Sequence, residues 1–308
     1  MFNNDIKSVL DLMKTFPDEQ ACIAYLEQIR WAGEPVSPFD ADSKVYKCKN
    51  NRYRCKNTGK YFNVKTGTMY DNTKMELQKW FLAIWIVTAH KKGIASTQLA
   101  KDICVSQKSA WFMLQRIRAC FGIENYTELD GTVEADEAMV GGKQKNRHKN
   151  KRLPGTGGRS TVDKDAVFGM LQRDGRIVVI HVPDCDAATL QPLIKKYVRP
   201  TARLITDSWN GYNGMDGYCE HYMIKDTEKH YQNDYNPEIH TNGIEGSWKH
   251  LKAAVSGMYN HVSTKHLQLY LDEHVYRWNL MKHEDSDKFN WLILNCDVRT
   301  KYRELVNG

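Results

Sequence analysis

The chain has 308 residues, enough for two or three domains that each bury a core unaided, and its eight cysteines include no CxxC pair, which suits a reduced cytosolic protein rather than a disulfide-stapled one. The longest apolar run, Phe81 to Ala89, falls short of the roughly 20 residues that span a bilayer, and the opening MFNNDIKS lacks a secretory apolar core, so no membrane partner is expected. The net charge of +7 is unevenly spread, with eight Lys or Arg and no acid from Lys44 to Lys65 and seven with no acid from Lys143 to Arg159.

Residues 1–35 carry two helical patterns, the second opened by Pro17-Asp18-Glu19, a proline and acids suited to a first helical turn. Residues 36–70 turn to Lys, Asn, Thr and Gly with β-like runs such as KVYKCK and KYFNV, and read as a small basic β-rich module or a long loop. Aromatics interleave with its cations, and Arg52 and Arg54 are candidate DNA contacts, because clustered cations displace counterions from phosphate backbones. Over 71–125 the helical period returns. STQLAKDICVSQKSAWFMLQRIR splits into a helix with Leu99 and Ala100 inward, a break at Cys104-Val105-Ser106, and a helix capped by Ser106 carrying Trp111, Leu114 and Ile117. This is a helix-turn-helix pattern, although a helical hairpin in a core would look the same and Cys104 stands where glycine would turn more easily.

From 126 to 283 the period switches. TVEADEAMV alternates as a strand, and DAVFGMLQR and RIVVIHV are strands joined at Asp174-Gly175, a hairpin signal. Asp186 can cap a helix over AATLQPLIKKYV; the strand ARLITD follows, then a helix from about Thr241. Strands, helix, strand and helices in this order describe a mixed α/β layer fold. Residues 284–308 read as a C-terminal tail.

Three acids fall at element ends in this domain: Asp136, Asp207 and Glu245. Singly each is ordinary, since Asp207 before Ser208 could cap a helix and Glu245 could be a solvated helix acid. Together they suit phosphoryl transfer with two Mg²⁺ or Mn²⁺ ions, because hard oxygen ligands hold such ions and converging carboxylates without a cation repel one another. Adjacent strand residues point to opposite faces, so Asp136 is chosen over Glu137, while Glu134 shares the face of Asp136. Lys252 follows Glu245 by two helical turns, about 10.5 Å along one face, as a phosphate-binding partner. Asn242 stands in the same relation to Lys249, a further candidate DNA contact, and its amide oxygen makes it the alternative third ligand. Trp248 and Leu251, with Ile244 and Val255, form an apolar stripe that can seat this helix on the sheet.

The segments FPDEQACIAYLEQIRW, RYRCKNTGKYFNVKTGTMYDNTK, VEADEAMVGGKQKNRH, TDSWNGY and HTNGIEGSWKHLKAAVSGMYNHVSTKHLQLYLDEHVYRWN, in this order, resemble the DDE transposases of bacterial insertion sequences, specifically the insertion-sequence 1595 or ISXO-two-like family. The resemblance implies an RNase H-like catalytic domain with a mixed five-stranded sheet and flanking helices. It puts the family's acids on Asp136, Asp207 and Glu245 and its lysine on Lys252, with two Mg²⁺ or Mn²⁺ ions as cofactors. Terminal inverted repeats and target DNA become the expected partners, joined by a homo-oligomer on DNA in the bacterial cytoplasm and nucleoid. Lys143, Lys145, Arg147 and Lys149, directly after the first acid, are expected in a DNA-binding loop.

One segment departs from the family. Its N-terminal zinc ribbon has two CxxC knuckles, but here they read Ser37-Pro38-Phe39-Asp40 and Cys55-Lys56-Asn57-Thr58, three thiolates short of a tetrahedral site. A zinc-free ribbon remnant is expected. Two other readings stay open: a catalytically inactive or domesticated DNA-binding protein, and a nuclease that cuts without joining.

Overall fold

The computed structural model describes residues 6–122, 125, 128–141, 150, 164–224 and 236–307. The chain forms two compact units, Met1–Phe121 with Lys282–Gly308, and Gly122–Met281. The cations Lys143, Lys145, Arg147 and Lys149 lie outside the described residues. Among the described residues no helix is long and apolar enough to cross a membrane.

In the first unit, α1 (Val9–Thr15) starts at Ser8, whose Oγ accepts the Asp11 N–H, and α2 (Glu19–Trp31) starts at Asp18, which caps Ala21. The sequence KWFLAIWIV makes α3 (Leu77–Ala89) apolar on every side, and it is buried almost throughout, as such a helix must be. Three short strands, β1 (Val45–Lys47), β2 (Tyr53–Cys55) and β3 (Tyr61–Phe62), form a small antiparallel sheet within 36–70. Alternation buries Tyr53, Cys55 and Phe62, and Trp31 packs edge-on against Tyr53 and Phe62.

Two helices, α4 (Ser96–Asp102) and α5 (Gln107–Phe121), meet at the expected break. Cys104 there adopts φ +52°, the left-handed conformation that favours glycine, and Ser106 Oγ accepts the Ser109 N–H. From Met113 to Ile117 and beyond, α5 is buried, Arg116 donating to the carbonyls of Met69, Asp71 and Thr300. Gln107 and Lys108 in its first turn stay exposed.

Residues 284–308 are not a tail. They hold α9 (Asp285–Leu294) and α10 (Tyr302–Asn307), and Phe289, Leu292, Ile293 and Cys296 are buried in the first unit. Phe289 meets Phe16, Phe81 and Trp85 at ring-centroid distances of 5.7–6.3 Å. The apolar positions of KFNWLIL are the reason, since exposing them would leave that aromatic cluster open to water.

The second unit is built on a five-stranded mixed sheet of β4 (Thr132–Val140), β5 (Asp165–Gln172), β6 (Ile177–Val182), β7 (Arg203–Asp207) and β8 (Glu220–Ile224), in the order β6-β5-β4-β7-β8. β5 is antiparallel to β4 and β6; β4, β7 and β8 are parallel. On one face lies α6 (Ala187–Tyr197), with Leu190 and Ile194 packed beside Val133, Phe168 and Leu204. On the other lie α7 (Asn242–Ala254), its continuation as a wider π-type turn over Val255–Tyr259, and α8 (Thr264–Asn279). A mixed five-stranded sheet with helices on both faces fits the RNase H-like α/β class. Asp186 stands at the start of α6 but its side chain makes no capping bond; the neighbouring Asp184 carboxylate accepts from Thr189 Oγ1 and the Asp186 N–H instead.

Candidate active site

The central strand β4 carries the first acids. Its hydrogen-bonded register with β7 runs from Thr132↔Arg203 to Glu134↔Ile205, and continuing that register sets Asp136 beside Asp207 at the carboxyl end of β7. Side chains at carboxyl ends of parallel strands face the crevice where ligands collect. One oxygen each of Asp136, Glu137 and Asp207 lies within 4.8 Å of the others, all three residues being half-buried.

Glu137 is the correction to the alternation argument. The two neighbours do leave β4 on opposite faces: Asp136 Oδ2 accepts from Trp248 Nε1 on the α7 side (2.8 Å), and Glu137 Oε1 accepts from the Tyr212 hydroxyl on the other (2.6 Å). Beyond Glu134↔Ile205, however, β7 no longer pairs with β4, and an oxygen of each carboxylate lies within 4.8 Å of the other and of Asp207 although the two leave the strand on opposite faces. Glu134 shares the face of Asp136 but does another task. Fully buried, it accepts from Arg173 Nε (2.8 Å) and from the Ile244 N–H at the start of α7 (3.0 Å), with His240 Nδ1 at 3.3 Å. Arg173 also donates to the carbonyls of Glu238 and His240, clamping the segment that leads into α7.

Burial pushes Asp136 up to about 8, opposed by the Trp248 hydrogen bond and reinforced by the charges of Glu245, Glu137 and Asp207. Burial likewise lifts Glu137 to about 7, against the Tyr212 hydrogen bond and with help from Asp207. Acids so crowded take up protons near neutrality unless a cation neutralises them. Hard carboxylate oxygens converging at this spacing fit divalent ions such as Mg²⁺ or Mn²⁺.

The model of the ISXO2-like transposase domain matches residues 128–279, the span that holds all of these acids. A "transposase-like protein" of Haemophilus influenzae is 30% identical over 105 residues, covering 34% of this chain and 81% of that one. The chain belongs to the ISXO2-like transposase family. A protein in the transposable element ISH50 of Halobacterium salinarum is 27% identical over 248 residues, 76% of this chain and 82% of its own length. Solved structures of a pre-cleavage Mos1 transpososome and of the Mos1 strand transfer complex align over 98% and 95% of this chain, and over 100% and 92% of theirs. Their identities are 12% and 13% and their TM-scores 0.27 and 0.28, a likeness that carries no argument.

In this family member Glu245 is half-buried in the first turn of α7, near enough for its charge to raise Asp136 but outside the 4.8 Å group. Asn242, the first residue of α7, is exposed, as are Lys249 and Lys252. Ile244, Trp248 and Leu251 are buried against the sheet, as their stripe predicts, while Val255 is partly buried beside them.

Trp248 reaches Asp136 because residue 169, opposite Asp136 in the register, is glycine. A Cβ there would stand 2.5 Å from Trp248 Cη2 and 2.9 Å from Ile244 Cδ1. Sequence reasoning weighed Glu137 and set it aside, noted Glu134 only as sharing the face of Asp136, missed Tyr212 and Arg173, and used Trp248 only as an apolar seat. The legible signal was Gly169 inside a strand of otherwise apolar residues, a mark of close approach by another group.

In the first unit, Arg52 and Arg54 are exposed on the ribbon, their guanidinium carbons 4.4 and 5.9 Å from the centre of the exposed Tyr61 ring. Tyr46, Arg54 and Tyr61 face one another across the three strands in register, with Lys44 over Tyr46 at 5.6 Å. Behind them, at the knuckle position, burial acts to raise the Cys55 thiol, but hydrogen bonds with Ser37, Ser43 and Thr58 outweigh it and bring the thiol down to about 6.

Proposed function

We propose that the chain is an insertion-sequence transposase that binds terminal inverted repeats, cleaves the donor strand and transfers the freed 3′-hydroxyl into target DNA. The observation that carries this reading is the convergence of Asp136 and Glu137, in the middle of β4, with Asp207 at the carboxyl end of β7, in a family of transposases.

Asp136, Asp207 and Glu245 would hold two divalent ions, with Asn242 as the alternative third ligand and Glu137 close enough to replace either. When bound, such ions supply Lewis-acid activation of the attacking oxygen and stabilisation of the leaving one. The chain's own groups orient the reaction. Trp248 and Tyr212 fix the two carboxylates of β4, Glu134 and Arg173 seat α7, and Lys252 binds a phosphate along the face of α7 that carries Glu245. Water attacks the scissile phosphodiester and displaces the 3′-oxygen, which leaves as a hydroxyl; that hydroxyl then attacks a target phosphodiester and displaces its 3′-oxygen in turn.

The aromatic and cationic row Tyr46, Arg54 and Tyr61, with Arg52 and Lys44, supports DNA binding by the ribbon, and the exposed first turn of α5 offers Gln107 and Lys108. Lys249 on α7 and the cations Lys143, Lys145, Arg147 and Lys149 extend the same charge. Two element ends must be joined, so a homo-oligomer assembles on DNA.

The test is strand cleavage and joining on labelled DNA carrying the ends that flank the protein's own coding sequence, with Mn²⁺ or with EDTA. The expected outcome is Mn²⁺-dependent 3′-end release and joining, reduced at least about a hundredfold in Asp207→Asn and Glu245→Gln, the size of losing one positioned electrostatic group. Full activity in Glu245→Gln with loss in Glu137→Gln would move the third ligand to Glu137. Tight binding without cleavage would instead favour a DNA-binding relic, the reading motivated by serine, aspartate and threonine at three knuckle positions.

A further inference from the structure

One large aromatic ring beside the acidic cluster is left bare. Trp209, two residues beyond Asp207, is 48% exposed. It is nonetheless fixed on three sides. Its backbone N–H donates to Asp207 Oδ1 (3.0 Å), and its indole N–H donates to the Cys185 carbonyl (2.8 Å) in the loop before α6. Along the ring edge sits Gly211, where a Cβ would stand 2.9 Å from Trp209 Cδ1, 3.0 Å from its Nε1 and 2.9 Å from the Cys185 carbonyl oxygen.

This arrangement narrows what the ring can bind. The single polar atom of the indole is already satisfied by the protein, so what remains for a ligand is the π-surface. Trp209 belongs to neither apolar layer of its unit, so its burial is not what holds the sheet and helices together. A flat apolar surface tied to the carboxylate of Asp207, at the point where a phosphodiester must lie, is complementary to the one flat apolar group that DNA carries. Bases offer that face whatever their sequence, and aromatic side chains stack on them once they leave the duplex.

We propose that Trp209 is a stacking platform for a nucleobase drawn out of the duplex next to the cleaved phosphodiester. The proposal rests on the transposase reading for the presence of DNA. It goes further in assigning a base contact to a residue that neither ligates a metal nor bears charge. Because the Trp209 N–H is bonded to Asp207, stacking also sets where the strand lies relative to that carboxylate.

The test uses the full chain and duplexes of the flanking end DNA with 2-aminopurine placed at successive positions across the cut, bound in Ca²⁺ in place of Mg²⁺. At one position beside the cut, emission is expected to be quenched in the wild type and in Trp209→Phe, and to rise several-fold in Trp209→Ala. Binding to the same duplex weakens about tenfold in Trp209→Ala alone. Circular dichroism and melting of Trp209→Phe, which keeps a ring, separate loss of stacking from loss of folding. Identical emission at every position in wild type and Trp209→Ala would overturn the proposal.

Cleavage in Mn²⁺, run in parallel, separates the two readings. Wild type that quenches but never cuts would sink the transposase reading and keep the platform. Wild type that cuts, with Trp209→Ala equal to it in emission and affinity, would do the reverse, and wild type that neither binds nor cuts this DNA would sink both.

Discussion

Asp136 answers to two requirements that pull against each other. Folding brings it away from water and among Glu245, Glu137 and Asp207, which lifts it to about 8, while the metal-ligand role proposed for it needs the charged form. An acid raised in this way is protonated in the folded chain at pH values where the unfolded chain has already released the proton. Its contribution to stability is therefore full below about pH 4 and is lost as pH rises through about 8. Asp136→Asn removes this loss, and its amide oxygen can still accept the Trp248 hydrogen bond. In EDTA at pH 8 the variant should be more stable than the wild type by on the order of 2 kcal/mol, and on the proposed mechanism it should also be inactive. The gap should narrow as pH falls towards 7 and close or reverse when Mn²⁺ is added. Glu137 and Cys55 also titrate in this range but are common to both proteins, so the difference isolates Asp136. Thermal melts between pH 7 and 8.5 decide it: a variant no more stable than wild type in EDTA would show that the cluster is not under charge strain.

At the scale of elements, the approach of α7 to the sheet depends on a missing side chain. Gly169→Ala places a Cβ 2.5 Å from Trp248 Cη2, and the ring, wedged among Ile244, Leu251 and β5, must give way. The expected cost is about 1–3 kcal/mol of stability for overpacking, with divalent-ion affinity falling together with it because Trp248 no longer holds Asp136. Isothermal titration with Mn²⁺ beside thermal melts checks this; unchanged affinity in a destabilised protein would separate Trp248 from the site. The same elements show where reading from sequence succeeds. β4, β5, β6 and β7 are legible because each is a short apolar or alternating run bounded by turn residues, and Asp174, at φ +56°, makes the turn its sequence suggests. β8 was missed because EHYMI neither alternates nor forms an apolar run; it is an edge strand whose Glu220 and Met223 stay exposed. The site was half legible. Asp207 follows from residue type and its place at the end of β7, whereas Asp136 lies in the middle of β4 rather than at an element end, and the approach of Glu137 to both depends on how β4 and β7 diverge beyond Glu134↔Ile205, which neither local sequence encodes.

At the scale of the whole molecule, the chain leaves the first unit at Phe121, builds the second, and returns at Lys282 to finish the first. Phe289 is the most telling residue of that return. Fully buried, it lies against Phe16, Phe81 and Trp85, rings contributed by segments some 200 residues or more earlier in the chain, while the neighbouring Asn290 accepts a hydrogen bond from Tyr25 (2.7 Å). Further along, Asp297 pairs with Arg30 at 3.0 Å and the Cys296 carbonyl accepts the Met69 N–H at 2.8 Å, so the last residues close both the helical core and the base of the ribbon segment. A chain cut at residue 281 would therefore leave the first unit unfinished. Phe289→Ala tests this without removing the segment. The expected loss is about 3–5 kcal/mol, the cost of emptying a buried phenyl site, and it should fall on the first unit alone. Because the second unit has its own two apolar layers, its Mn²⁺-dependent gain in melting temperature should persist in the variant. Calorimetry with and without Mn²⁺ reads both effects at once. A single transition shifted as a whole, with the metal response lost, would mean that the two units unfold together and that the long excursion of the chain has made one cooperative molecule out of two cores.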